Sequence, residues 1–123
     1  MNIDKYGIEI SDEIVLEILH NLPGKFYKLL PLYEGRDFHT KDIIYDEPDA
    51  FETFSRYLQK LIIEFSGSKL IFPDEKKFTE IFIILKGMEK INIGEHDKLK
   101  SIVMLCMNKI KEVTYIYQKR LKR

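Results

Sequence analysis

The stretch that decides the fold is DEPDAFETFSRYLQKLIIEFSG, residues 46–67. Its apolar side chains recur every three or four residues, which is the spacing of one buried helical face. Asp46 or Glu47 is suited to cap the start of a helix, and Gly67 is suited to the position just after its end. The pattern predicts a helix that runs to about Ser66, with a core-facing stripe made of Phe51, Phe54, Leu58, Leu61, Ile62 and Phe65.

Two shorter helices are predicted before this stretch. Ser11 is a good N-cap, and an apolar stripe follows it until Pro23 and Gly24 interrupt the pattern. A short second helix fits residues 23–33, and Gly35 is suited to terminate it.

Two more helices are predicted after it. One follows a capping aspartate, Asp74, and ends near Met88; its wide apolar face predicts a central place in the bundle. A strand at 79–85 is the competing interpretation, because several residues there are β-branched. The last helix begins near Glu95 and extends almost to the end of the chain.

No segment alternates convincingly with the period of a strand, so the sequence predicts an all-α fold. We expect a single compact helical bundle of about five helices with a long C-terminal helix, in one domain that covers residues 1–123. Residues 1–10 are a possible N-terminal arm. A lone cysteine, an acidic N-terminus without a signal-peptide core and no apolar run of membrane-spanning length predict a cytoplasmic protein with no membrane partner.

The zero net charge hides an uneven distribution. Residues 1–64 carry 13 Asp and Glu against 7 Lys and Arg, whereas residues 65–123 carry 7 against 13. This polarity predicts steering of charged partners or head-to-tail association of copies.

Motifs that bind nucleotides or metals are missing from the sequence. No glycine-rich phosphate loop is present, and the three histidines do not lie at helical ligand spacing, so we expect no cofactor and no metal. Cys106 lies on the apolar stripe of the last helix, where packing is a better explanation than reactivity. These features predict a protein that is not an enzyme.

The loop EGRDFHTKD, residues 34–42, allows two interpretations. Arg36, Asp37 and His39 could serve a small nuclease or hydrolase, which would make it an active loop. The alternative, which we prefer, is that the loop is a polar connection between two helices and that Phe38 anchors it to the core.

The basic end of the last helix is the other candidate site. Lys119, Arg120, Lys122 and Arg123 could contact phosphates, or could simply complement the negative helix end. Tyr115 lies off the main apolar stripe and would be exposed at a partner surface if this helix projects past the bundle.

Together these features predict a small non-enzymatic protein-interaction module: an adaptor, accessory subunit or inhibitor of a bacterial or phage system. We expect a protein partner, either another copy in an oligomer or a different chain. The predicted partner-binding residues are Lys119, Arg120, Lys122, Arg123, Tyr115, Arg36 and His39. The alternative is a nucleic-acid-binding accessory protein that uses the basic C-terminal helix, and a helical nuclease or hydrolase is the third hypothesis.

Overall fold

The computed structural model describes residues 2–3, 7–37, 39–69 and 76–121. Five α-helices account for most of these residues, which confirms the predicted all-α fold. The helices are α1 (Asp12–Tyr27), α2 (Leu29–Glu34), α3 (Glu47–Lys69), α4 (Lys76–Gly87) and α5 (His96–Leu121). A 3₁₀ turn at Met88–Lys90 follows α4. Within the predicted arm, β1 (Asn2–Ile3) pairs antiparallel with β2 (Glu9–Ile10).

The first two helices are divided differently from the prediction. Helix α1 continues through Pro23 and Gly24 to Tyr27, and the break falls at Lys28 instead. The reason is Pro31: it has no N–H for the carbonyl of Tyr27, and its ring crowds that carbonyl. The predicted helix 23–33 is therefore wrong, and α2 is a single short segment after the break.

The other helices confirm their predicted positions with small changes. Asp46 caps α3, because its Oδ1 accepts from the backbone N–H of Asp49 at 3.1 Å. Helix α3 runs past Gly67 to Lys69, so Gly67 does not end it. The predicted cap Asp74 lies outside the described residues.

Cross-helix contacts show the arrangement. Phe26 meets Phe65 edge-on, and Phe65 stacks on Phe78 with ring centroids 4.5 Å apart. Lys77 and Lys109 donate to Glu112 and Glu80 across the seam of α4 and α5. Residue numbers rise on one helix as they fall on its neighbour, so consecutive arms of the bundle are antiparallel.

The resulting fold is an up-down-up-down bundle of four arms, in which α1 and α2 together form the first. Because α5 packs back onto α1, the acidic half of the chain (α1 to α3) and the basic half (α4 and α5) occupy opposite sides. The predicted central position of α4 is wrong: α4 is one of the four arms, and its Ile83 side chain is exposed.

The long C-terminal helix packs alongside α1 and α2 together: its first residue, His96, contacts Glu34 of α2, and its last turn lies beside the start of α1. Arg120 Nη1 lies 3.9 Å from Asp12 Oδ1, which places the last turn of α5 beside the first turn of α1. The helix therefore does not project past the bundle over residues 96–121. Its core face contains Leu99, Val103, Cys106, Met107, Ile110, Val113 and Tyr117.

Candidate functional site

The connection between α2 and α3 is folded rather than extended. The N–H of Arg36 donates to the carbonyl of Pro31 at 2.8 Å, and the N–H of Gly35 donates to that of Leu32 at 3.1 Å. This pair of bonds is a Schellman motif, which needs a left-handed residue at Gly35, where φ is 72°. A side chain at that position would also meet the carbonyl oxygen of Tyr45 at 2.6 Å.

Residues 36–37 and 39–43 then form the described part of a small hairpin that returns to the end of α2. Arg36 pairs with Ile43, and the N–H of Asp37 donates to the carbonyl of Asp42 at 2.8 Å. The carbonyl of Gly35 accepts from the N–H groups of the residues at 44 and 45, at 2.8 and 3.1 Å. These bonds hold the hairpin against the helix, so its side chains have a defined position.

The carboxylate of Asp37 stabilises the tip of this hairpin. Its Oδ1 accepts from the backbone N–H groups of His39 and Thr40, each at 2.9 Å. The hydrogen bonds from Thr40 and then His39 hold the pKa of Asp37 below its ordinary value. The carboxylate therefore has a structural role in the turn.

A second junction, the turn before α5, lies against α2. The hydroxyl of Tyr33 donates to the carbonyl of Asn92 at 2.6 Å and accepts from the N–H of Glu95 at 2.8 Å. The carboxylate of Glu95 accepts from the N–H of Asn92 at 2.7 Å, and this bond lowers the pKa of Glu95. One tyrosine thus fixes the turn that begins the longest helix.

Glu34 joins the two junctions. Its Oε1 contacts His96 Nε2, and its Oε2 lies 3.5 Å from Arg36 Nε. Arg36 also donates from Nη1 to the carbonyl of Lys41 at 3.0 Å. A carboxylate at the end of α2 therefore links the hairpin to the first residue of α5.

An open cleft of about 610 Å³ lies between the hairpin, the start of α3 and the start of α5. We call it the loop-end cleft. Its lining residues are Tyr33, Glu34, Arg36, Ile43, Tyr45, Asp46, Glu47, Gly94 and His96. Glu34 and Arg36 also form one wall of a second cleft of about 480 Å³, on the side of α1 and Lys41.

Three consecutive apolar residues project beside the loop-end cleft. Ile43, Ile44 and Tyr45 are 69%, 53% and 44% exposed, and we call them the apolar ridge. Their backbone is held by Gly35 and Arg36, so the exposure belongs to an ordered segment. Aromatic and aliphatic side chains presented in this way are typical of partner surfaces.

The sequence-predicted loop residues separate in the structure. Arg36 lines the loop-end cleft, but neither Asp37 nor His39 does. His39 is exposed in the hairpin tip, and Arg36 is turned toward Glu34 and the carbonyl of Lys41 instead. Phe38, predicted to pin the loop, lies outside the described residues.

The basic end of α5 makes contacts within the chain. Lys119 Nζ lies 5.3 Å from the ring centre of the exposed Tyr115, and the Arg120 guanidinium lies 4.4 Å from that of Tyr117. Arg120 also faces Asp12. Lys122 and Arg123 lie outside the described residues.

Four residues that line the loop-end cleft were not predicted from the sequence as site residues: Tyr33, Glu34, Tyr45 and His96. The close partner of His96 is Glu34, which is 62 residues away in sequence. No local signal could reveal that pair. A usable signal existed at IIY, where three large apolar residues precede a helix cap without helical spacing.

The described residues outside these clefts offer neither a reactive thiol nor a metal site. Burial raises the pKa of the Cys106 thiol to about 12, so this cysteine is protonated and packed. Among the described residues, no group of three His, Cys, Asp or Glu could hold a metal ion. No helix in that part of the chain is long and apolar enough to cross a membrane.

Comparison with known proteins returned no match to any family model, curated protein or solved structure.

Proposed function

We propose that this protein is a non-enzymatic interaction module that docks a protein partner on the apolar ridge and the adjoining loop-end cleft. The observation that carries the proposal is the exposure of Ile43, Ile44 and Tyr45 on a hydrogen-bonded hairpin. An adaptor, accessory subunit or inhibitor needs such a surface, because a fixed surface loses little conformational freedom when it binds.

Burial of the apolar ridge by a partner would contribute a substantial part of a binding free energy. Full burial of an isoleucine side chain is worth about 1.5–3 kcal/mol, and Ile43 still exposes 69% of its surface. Covering Ile43 alone would therefore contribute about 1–2 kcal/mol, before Ile44 and Tyr45 are counted. Polar groups of the cleft would surround this apolar centre, as in ordinary protein interfaces.

The hydrolase hypothesis has less support. The carboxylate of Asp37 accepts two backbone hydrogen bonds, and Arg36 contacts Glu34 and the carbonyl of Lys41. Of Arg36, Asp37 and His39, Arg36 alone lines the loop-end cleft or the second cleft beside it. Nucleic-acid binding by α5 is also less favoured, because Lys109 and Arg120 face Glu80 and Asp12.

A site-specific photo-crosslinking experiment tests the proposal. A photoreactive amino acid at Ile44 should give one dominant adduct in lysate of the native cells, identified by mass spectrometry and reproduced with the purified partner. The matched control carries the same group at Ile63 of α3, which is at least as exposed. Equal adducts at both positions, or none at Ile44, would contradict docking at the ridge.

A further inference from the structure

The chemistry around the apolar ridge selects among partners. The loop-end cleft is lined by three carboxylates, those of Glu34, Asp46 and Glu47, against the single guanidinium of Arg36 and the imidazole of His96. Both of the basic groups contact Glu34. No basic side chain of the described residues forms an ion pair with Asp46 or Glu47.

The helix end beneath these carboxylates does not neutralise them. An α-helix N-terminus is equivalent to about half a positive charge. The first turn of α3 and its cap contain three carboxylates, those of Asp46, Glu47 and Asp49. The carboxylates of Asp46 and Glu47 therefore leave an excess of negative charge beside the apolar ridge.

We propose that the loop-end cleft binds a basic segment of a protein partner, in which a lysine or arginine lies next to an apolar side chain. The apolar side chain packs on Ile43 and Ile44, and the cation lies between Asp46 and Glu47. The exposed ring of Tyr45 offers the same cation a π face. This inference rests on the proposed function and adds the class of partner.

The same charges oppose two other occupants. The phosphates of a nucleic acid would meet the carboxylates and be repelled. A second copy that presented its basic α5 end would first lose the contacts of Arg120 with Asp12 and of Lys119 with Tyr115 within its own chain. The structure therefore favours a different, basic protein.

Fluorescence anisotropy with defined peptides tests the inference on the full chain. The probe is a labelled peptide of leucines and arginines separated by serines; two control peptides replace each arginine with glutamate or with serine. We expect the basic peptide to bind with affinity that falls as salt rises, and the acidic peptide not to bind. The Glu47→Lys variant should weaken binding of the basic peptide about fivefold, as expected for an exposed ion pair.

Matched variants separate the two halves of the surface. Glu17→Lys makes the same charge change on α1, far from the cleft, and should leave the affinity unchanged. Ile43→Ser should weaken all apolar peptides, whereas Ile83→Ser, at a similarly exposed position on α4, should not. Circular dichroism of each variant checks that the bundle remains folded.

Three outcomes would contradict the basic-partner inference, and they differ in what they imply for docking at the apolar ridge. If the three peptides bind equally and Glu47→Lys has no effect, the basic-partner inference is wrong while docking at the ridge stands. If none of the peptides binds, even at millimolar concentration, both are wrong. If light scattering shows a dimer that Ile43→Ser abolishes, the occupant is a second copy and the inference is overturned.

Discussion

Replacing Gly35 with alanine should destabilise the protein more than the same change at Gly7, Gly24, Gly87 or Gly94. Gly35 has φ of 72°, where a residue with a Cβ atom costs about 1–2 kcal/mol. Its added Cβ would also meet the carbonyl oxygen of Tyr45 at 2.6 Å and Ala50 Cβ at 3.0 Å. Relieving that contact disturbs the two hydrogen bonds that the Gly35 carbonyl accepts, each worth about 0.5–1.5 kcal/mol.

The expected total loss for Gly35→Ala is about 2–5 kcal/mol of unfolding free energy. Two other glycines separate the contributions. Gly94 has φ of 87° but open space around it, so Gly94→Ala should cost only the backbone term of about 1–2 kcal/mol. Gly24 lies inside α1 with nothing near it, so Gly24→Ala should stabilise the helix by up to about 1 kcal/mol.

Urea unfolding followed by circular dichroism at 222 nm measures all three variants in one assay, since a domain of this size is expected to unfold in two states. The predicted order of stability is Gly24→Ala, wild type, Gly94→Ala, Gly35→Ala. If Gly35→Ala is no less stable than Gly94→Ala, the hairpin does not press on Gly35, and the ordered presentation of the apolar ridge is refuted.

Three further predictions concern single side chains. Tyr33→Phe removes a hydroxyl that makes two hydrogen bonds and should lower unfolding free energy by about 1–3 kcal/mol, measured in urea; an unchanged midpoint would contradict the bridging role. The Cys106 thiol, with its pKa raised to about 12, should not react with a thiol reagent at pH 8 until the protein unfolds, and rapid labelling of the folded protein would refute the burial. The contribution of this buried thiol to stability should be present below the pKa that the thiol has in the unfolded chain. It should decline as pH rises above that pKa. His39→Ala should leave both stability and partner binding unchanged, whereas loss of a measurable activity without loss of stability would revive the hydrolase hypothesis.

The sequence was most informative where local rules and burial agree. The apolar stripe from Phe54 to Phe65 could be predicted because it forms one buried helical face. The caps at Ser11 and Asp46 could be predicted because each depends on one local hydrogen bond. The prediction failed at Pro23, where bundle packing keeps α1 helical despite the missing N–H. Propensity is a weak guide when tertiary contacts oppose it.

The candidate site was less accessible from the sequence, because it is assembled from distant residues. Arg36 was predicted as a site residue, but it was grouped with His39, whereas in the structure it lines a cleft with Glu34 and His96. The exposed ridge was also missed, because periodicity identifies buried faces and says little about apolar residues outside a helix.

Chemical-shift mapping on the ¹⁵N-labelled protein is the most direct test of docking at the loop end. Titration with the leucine–arginine peptide should shift amide signals of residues 33–37, 42–47 and 92–97, which surround the loop-end cleft, and leave the exposed face of α5 near Lys111 unchanged. Shifts centred on residues 109–121, or no shifts at a concentration that saturates anisotropy, would contradict the proposed docking surface.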